Sequence, residues 1–589
     1  MSKLWRLCWL VGLALLVAGR PSTRSEAGSP CTNDHAPGLV LAGYRNGVSA
    51  AEWLAESRRD ASMPQVAATI PGIHVATLHV TPGQECAALE TLRRDPRVAY
   101  AELDYAVHSA DARHSPHDIR PSSFAPRPYP FVLRPSNVIM PNDPGWVSQW
   151  GPAKIKAPAA WSVVTGTPSI VIAVLDSGVR LDHEDLASNV WTNPREIPGN
   201  GVDDDRNGKI DDVYGWHFFH RWAGSNYVPD EDADVRDSNG HGTHVAGIAA
   251  AATNNGVGIA GIAGGARIMP VRVLNEYGDG WYSDIGAGIL YAADNGARII
   301  NLSVGGPVSS TTLLEAVEYA RNRGALVVAA AGNTGGPVFY PAAYDPVLAV
   351  AATDPNDERS VFSNYGPQVD LAAPGQDIYS TWCHQDLDLK TCSGNYYFIK
   401  SGTSMAAPHV AGVAALIWSL HPGLTTDQVI SRLLATADAT PGSALPNLYT
   451  GWGRVNAYRA VADLEALPDL WVSLAGPPVI RVGESFSYTL TYGNRGVRNA
   501  ESVTLTLQSA NGLVSSQPPQ QEIGIVLAGT GPYTQVWQAT TQCGTVCLGG
   551  MYTTTVTIQS AAPDRTLTDN TWVWIARAAW PVFLPIVLR

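Results

Sequence analysis

Ile170-Val171-Ile172-Ala173-Val174-Leu175-Asp176-Ser177-Gly178-Val179 is the stretch on which the fold turns. Its first six residues are apolar and rich in β-branched side chains, with no polar residue at alternate positions. A strand with one wet face alternates, whereas an unbroken apolar run suits a strand covered on both faces. Arg298-Ile299-Ile300-Asn301-Leu302-Ser303 and Ala325-Leu326-Val327-Val328-Ala329-Ala330 read the same way. The helical periodicity of Thr312 to Asn322 falls between those two runs. Strand, helix and strand in that order predict an α/β unit with a parallel sheet and helices on both faces. Reactive groups in such sheets gather past the carboxyl ends of the strands, where Asp176 and Asn333 stand.

Two further segments belong with Asp176. Asn239-Gly240-His241-Gly242-Thr243-His244-Val245-Ala246-Gly247 brings a histidine to the start of a small-residue helix. Ser401-Gly402-Thr403-Ser404-Met405-Ala406-Ala407-Pro408-His409 runs from a glycine-containing loop into an Ala-rich helix, with Ser404 near its N-terminus. A serine hydroxyl is a weak nucleophile until a base takes its proton, and histidine titrates in the useful range. A carboxylate fixes the tautomer of that base, and a helix N-terminus offers N–H groups to a developing oxyanion.

At these segments the chain resembles the subtilisin-like serine protease family, whose order of Asp, His and Ser it repeats. The resemblance implies a three-layer αβα catalytic domain in which Asp176 orients, His241 acts as general acid–base and Ser404 is the nucleophile. Ala329-Ala330-Ala331-Gly332-Asn333 matches the oxyanion-hole segment, so Asn333 is expected to donate its side-chain amide. Ser303, Val304 and Gly305 match the edge along which a protein or peptide substrate adds as a strand. Ala331 and Gly332 are expected to form the facing pocket wall. Phe339, just before Tyr340-Pro341, either shortens the pocket floor and favours small or medium side chains, or packs away from it. His244 and His409 read as packing or hydrogen-bonding residues.

Residues 203–212 place five aspartates in ten residues around Gly208. Asp203, Asp205 and Asn207 have the alternating spacing that wraps a hard cation, and Asp212 closes the run. The stretch is no EF-hand, because Tyr214 stands at the twelfth position. It reads as a structural Ca2+ site, with a solvated acidic loop as the alternative. A second Ca2+ site, at Asp143, Asp185 and Asn255, is implied by the resemblance to thermitase-like members alone.

The length of 589 residues calls for several domains. Residues 1–27 read as a secretory signal: Lys3 and Arg6 precede an apolar run too short to span a bilayer. No later segment reads as a membrane span. Seven cysteines include Cys8 in that leader; the remaining six suggest local disulfides 31–86, 383–392 and 543–547 in an oxidising compartment. Residues 28–108 look like a small α+β unit, and the resemblance makes them an inhibitory prosegment. A Pro-rich linker at 109–140 is the expected place of self-cleavage. Residues 141–467 form the catalytic region. Strict alternation in Ser485 to Tyr492, Ser502 to Gln508 and Tyr552 to Ile558 predicts an all-β sandwich over 468–576. An apolar tail, 577–589, follows.

The net charge of −13, without basic runs, argues against nucleic acid as a partner. The sequence thus describes a secreted, calcium-stabilised endopeptidase made as a self-processing precursor, extracellular or held at the cell envelope. The β domain is left with contact to a cell surface or polysaccharide, a protein substrate, or a spacer role. The rival reading makes the protease-like domain a scaffold and gives the function to that β domain.

Overall fold

A computed structural model describes residues 34–45, 48, 64–109, 140–222, 227–385, 392–441 and 445–462, with 470–476, 479–481, 485–494, 500–509, 513–515, 520–526, 530–541, 551–559 and 571–579 of the C-terminal region. The leader, Cys31, nearly all of the linker, Cys543, Cys547 and the apolar tail from Trp580 lie outside them.

The central sheet has seven parallel strands in the order Leu371–Pro374, Leu348–Thr353, Leu326–Ala330, Ile299–Leu302, Val171–Asp176, Arg267–Arg272, Trp216–His217. Alternation along Val171–Asp176 divides two cores. Ala173 and Leu175 meet Tyr282, Ile285 and Ile289 of the helix Tyr282–Asp294, and Leu313 and Val317 of Thr311–Asn322. Ile172 and Val174 meet Val245 of His241–Ala250 and Met405, Val410 and Leu416 of Thr403–Leu420. Apolar packing on both faces is the reason the sequence shows no alternation there. The three-layer α/β architecture agrees with the sequence reading.

The expectation that no segment after the leader is long and apolar enough to span a bilayer is corrected: among the described residues, the helix Thr403–Leu420 is. Of its residues 89% are buried inside the fold, where it packs on the sheet as a core helix.

The N-terminal unit is an antiparallel sheet in which Val98–Ser109 pairs with His35–Tyr44, followed by Val75–His79 and Gln65–Ile70. Leu89 and Leu92 of the helix Glu85–Leu92 pack against it. Beyond Glu102 the strand continues to Ser109. The extension has partners far along the chain: Asp279–Trp281 on one edge and Val304–Gly305 on the other. Leu103, Tyr105 and Val107 are consequently buried in the same core as Tyr282.

In the C-terminal region one sheet runs Leu470–Ala475, Ser485–Asn494, Thr530–Thr541, Leu513–Ser515, and the other runs Val479–Arg481, Thr571–Ala579, Met551–Gln559, Ala500–Ser509, Gln520–Val526. Leu470, Tyr488, Leu490 and Trp537 of the first share a core with Val503, Leu505 and Val526 of the second, which makes the pair a sandwich. Cys86 and Cys383 are disulfide-bonded.

Candidate active site

Asp176 ends its strand fully buried. Its Oδ1 accepts the Ser177 N–H at 2.8 Å and lies 2.7 Å from His241 Nδ1. A carboxylate only accepts, so Nδ1 carries the proton and the imidazole presents Nε2 as its acceptor nitrogen. His241 is fully buried at the first position of His241–Ala250. Gly242 permits this approach, because a Cβ there would collide with the Gly178 carbonyl oxygen. Gly240 has φ +103, and a Cβ on it would meet the Cys383 carbonyl oxygen at 2.8 Å.

Asp237, which the sequence reading missed, ties these two segments together. Its Oδ1 accepts from Ser177 Oγ at 2.8 Å, Gly240 N at 2.8 Å and Asn239 N at 2.9 Å. Its Oδ2 accepts from Thr243 N at 2.9 Å and Thr243 Oγ1 at 2.6 Å. Ser177 Oγ in turn accepts the Gly242 N–H at 3.0 Å. Burial pushes the Asp237 carboxyl above its usual range, against the pull of these donors.

Ser404 is fully buried in the first turn of Thr403–Leu420. Its Oγ donates to the Ser303 carbonyl at 3.1 Å, and Ser303 Oγ donates to the Ser404 carbonyl at 2.9 Å. Asn333 is held by its oxygen: Oδ1 accepts Thr403 N at 2.9 Å and Thr403 Oγ1 at 3.0 Å. A backbone N–H can only donate, so the oxygen is assigned to this end and the amide nitrogen to the other. His409 donates Nδ1–H to the Met405 carbonyl at 2.8 Å, and burial lowers its pKa to about 4, keeping it neutral. His244 Nε2 lies 3.1 Å from the carbonyls of Ile378 and Phe398 in the hairpin Ile378–Gln385/Cys392–Lys400.

The groove predicted at Ser303, Val304 and Gly305 is lined by chain. Val304 pairs with Ser109 and Gly305 with His108, antiparallel, while Asp279, Gly280 and Trp281 pair with His108, Val107 and Ala106. Ser109 N donates to Gly278 O at 2.8 Å. Two carboxylates on this strand cap helices. Glu102 accepts Thr311 N and Thr312 N, each at 2.9 Å, and Ser310 Oγ at 2.7 Å, at the start of Thr311–Asn322. Asp104 accepts Ser283 N at 3.0 Å and Ser283 Oγ at 2.6 Å in the first turn of Tyr282–Asp294.

Phe339 lies close to both Gly305 and Gly332. A Cβ placed on Gly305 would meet Phe339 Cβ at 3.3 Å, and one on Gly332 would meet the Phe339 ring at 2.9 Å. Ala331 is fully buried, and its carbonyl accepts Phe339 N at 2.9 Å.

In the acidic loop, Asp203 and Asp205 converge with Glu196, their carboxylate oxygens within 4.8 Å of one another. Glu196 was not in the sequence-predicted set. Its Oε1 accepts Asp204 N and Asp205 N, while Oε2 is buried with no hydrogen-bond partner among the described residues. Three convergent carboxylates, one of them with an unpartnered buried oxygen, suit a divalent cation. Asn207 N–H donates to both Asp203 and Asp205 at 3.1 Å, and its Nδ2 donates to Asp212 at 2.9 Å. Asp212 also accepts from Asn193 and from Tyr291 OH at 2.7 Å, placing it in a hydrogen-bond network beside the convergent group. At the other predicted site, Asp143 accepts Asn254 N at 2.8 Å and Asn255 N at 3.0 Å, and Asp185 accepts Asn255 Nδ2 at 2.9 Å and Ile259 N at 2.7 Å.

Comparison with known proteins gives the chain its relatives. Residues 167–453 match the model of the subtilase family. Thermitase of Thermoactinomyces vulgaris is 45% identical over 323 residues, 54% of this chain and 99% of thermitase. The thermophilic serine proteinase of Bacillus sp. (strain AK1) is 40% identical over 377 residues, 64% of this chain and 75% of that protein. The halolysin-like extracellular serine protease Nep of Natrialba magadii is 41% identical over 326 residues, 55% of this chain and 53% of Nep. With thermitase matched almost end to end at that identity, the chain belongs to the subtilase family and is a serine-type endopeptidase.

Proposed function

We propose that Asp176, His241 and Ser404 are the catalytic triad, that Asn333 is the side-chain oxyanion donor, and that the enzyme is an exported, calcium-stabilised, broad-specificity endopeptidase processed from a precursor. The observation that carries the triad is the fully buried Asp176–His241 pair at 2.7 Å. In this reading His241 Nε2 takes the Ser404 proton as Oγ attacks the substrate carbonyl, then returns it to the leaving amine. Asp176 stabilises the imidazolium formed between the two transfers. The oxyanion is met by the Ser404 N–H, in the unpaired first turn of its helix, and by the Asn333 amide. Ser404→Ala is expected to lower kcat by about 10⁵-fold or more, and Asn333→Ala by ~10²–10³. Comparable kcat for Ser404→Ala and the parent on casein would remove the assignment.

The prosegment reading is supported by the strand Val98–Ser109, whose end lies between Asp279–Trp281 and Val304–Gly305 as a substrate strand would. Capping of two catalytic-domain helices by Glu102 and Asp104 couples that strand to the fold of the enzyme. Calcium is supported by the donor set at Glu196, Asp203 and Asp205, where the ion would neutralise clustered carboxylates; the second set, Asp143, Asp185 and Asn255, rests on the family resemblance. Export is supported by the charged, then apolar, leader and by the disulfides of Cys86 and Cys383. Protein substrates follow from the family; the C-terminal sandwich is proposed to contact a surface, a polysaccharide or the substrate itself.

A further inference from the structure

We infer that Asp279 is a specificity-determining residue: its carboxylate, on the rim of the groove, selects substrates that carry a cationic side chain at the position pairing with Gly305. This rests on the triad and prosegment readings above and adds a substrate preference to them. The N-terminal strand supplies the observation. His108 lies in the groove with Gly305 opposite it on one edge and Asp279 opposite it on the other. Its Nδ1 stands 2.7 Å from Asp279 Oδ1. Residues directly opposite in an antiparallel pair hold their Cβ atoms about 4.5–5.5 Å apart, so a side chain at this place on a substrate strand reaches the same carboxylate. Lysine and arginine bring a charge there on a stem long enough to fold back onto it.

The carboxylate is presented by a turn that the enzyme closes on its own. Asn275 N donates to the Asp279 carbonyl at 2.8 Å, while Asn275 Oδ1 accepts Tyr277 N at 2.9 Å and Asp279 N at 3.0 Å. Gly278, at φ +83, completes the turn, and a Cβ there would meet Ser109 Oγ at 2.7 Å, so glycine lets the occupying strand come close. The Gly278 carbonyl accepts the Ser109 N–H at 2.8 Å, a bond that any substrate residue except proline can make. Main-chain pairing on both edges gives affinity with little sequence demand. Selection at this point therefore falls to the side chain opposite Asp279.

The His108 and Asp279 side chains are 41% and 50% exposed, so the selection is moderate and screened by salt. Opposite charges facing each other across a strand pair give about a two- to fivefold advantage over a neutral side chain, and like charges a similar penalty. Lysine should therefore exceed glutamate by about tenfold in kcat/KM. The place of that residue in a substrate follows from the nucleophile. Ser404 Oγ donates to the Ser303 carbonyl, so the substrate residue opposite Ser303 precedes the cut bond. The residue opposite Gly305 is the third before it.

The test uses the full chain, refolded with calcium and left to process, on peptide p-nitroanilides, in which the bond that releases colour is fixed. Lysine, glutamine and glutamate are placed in turn at the second, third or fourth residue before the anilide. The expected order at the third residue is lysine, glutamine, glutamate, spanning about tenfold in kcat/KM at about 50 mM salt and less than about threefold at about 1 M. Asp279→Asn should shrink the span to about twofold, and Asp279→Lys should reverse the order, which a loss of folded enzyme would not do. Equal rates for the three side chains in the parent, or an order unchanged by Asp279→Lys, overturn the assignment. A span that appears at the second or fourth residue instead overturns the alignment with His108. A folded parent that neither shortens nor cleaves any of the anilides overturns the triad reading, and this preference with it.

Discussion

Ser303 and Ser404 satisfy each other's polar groups: each hydroxyl donates to the other's carbonyl, at 2.9 and 3.1 Å. The cause of one of these bonds lies four residues further along. Pro408 sits inside Thr403–Leu420 and has no N–H, so the carbonyl of Ser404 is deprived of its helical donor. Ser303 Oγ replaces it. The residue proposed as nucleophile is thereby fastened to the strand end that lines the groove, in the segment where a substrate would pair.

Removing that fastening tests its role. Ser303→Ala leaves a buried carbonyl without a donor, which costs about 1–3 kcal/mol. The expected result is a fall in kcat of roughly 5- to 50-fold on a peptide substrate, with KM changed less than threefold. Restoring an N–H by Pro408→Ala in the same chain should recover most of the loss, whereas a general packing defect would not respond. Absence of any recovery in the double variant would separate Ser303 from the positioning of Ser404.

Asp237 supports the other half of the site. Asparagine has one acceptor oxygen where Asp237 uses two, so Asp237→Asn strands buried donors among Ser177, Asn239, Gly240 and Thr243. A loss of about 2–4 kcal/mol in stability is expected, read from denaturant unfolding of the Ser404→Ala background so that autolysis does not interfere. Activity in the Ser404 parent should fall with it, because Ser177 and Gly240 flank Asp176 and His241. A midpoint unchanged within error would mean that the two loops are held by other contacts.

The fold was largely legible in the sequence, and the reasons are local. Val171–Asp176 announces itself because both its faces are covered, and Ser404 because small residues crowd the helix that bears it. Asp237 and Glu196 were not legible. Asp237 acts by joining segments some sixty positions apart, and Glu196 reaches Asp203 and Asp205 only through the curl of the loop between them. The reach of Val98–Ser109 into the catalytic region was not legible for the same reason: its last residues pair with strands contributed from residues 279–281 and 304–305. Thr403–Leu420 shows the converse, a segment whose composition fits a bilayer and whose packing places it in the core. Phe339 was legible as a candidate but not in orientation, since that depends on where Gly305 and Gly332 stand.

Calcium removal gives a third expectation. A ligand that binds only the folded state stabilises it by about 2.7 kcal/mol at one hundred times its Kd. Chelation should therefore lower the Tm of the Ser404→Ala protein by several degrees, and added calcium should restore it. Glu196→Gln, which removes one of three convergent carboxylates, should shift the calcium titration to higher concentration at least tenfold. A titration unchanged by Glu196→Gln would place the stabilising ion elsewhere, the Asp143, Asp185 and Asn255 set being the next to test.

The interface of the N-terminal strand with the enzyme should respond to pH in one direction. Asp104 is fully buried between Ser283 and Asp284, and burial, reinforced by Asp284, raises its carboxyl to about 7. Burial alone would lower His220, but Asp284, whose Oδ1 lies 2.6 Å from Nδ1, outweighs it; Asp104 and Glu231 add to the effect and bring the imidazole to about 9. His79 faces the same cluster and is lowered, by burial first and then by His220. A buried carboxyl with a raised pKa favours docking while protonated, so its contribution fades as pH climbs from near 4 through about 7. His220 keeps Asp284 beside it with or without the docked strand, so its raised pKa belongs mainly to the enzyme itself. Docking of the N-terminal unit therefore weakens over that rise, by about tenfold or more between pH 5 and pH 8, one pKa unit of differential binding being tenfold. Progress curves of peptide hydrolysis with added prosegment read this as a rising inhibition constant. Asp104→Asn, which does not titrate, should flatten the profile below pH 8. An inhibition constant that fell with pH, or a profile unchanged by Asp104→Asn, would show that release is governed by other groups.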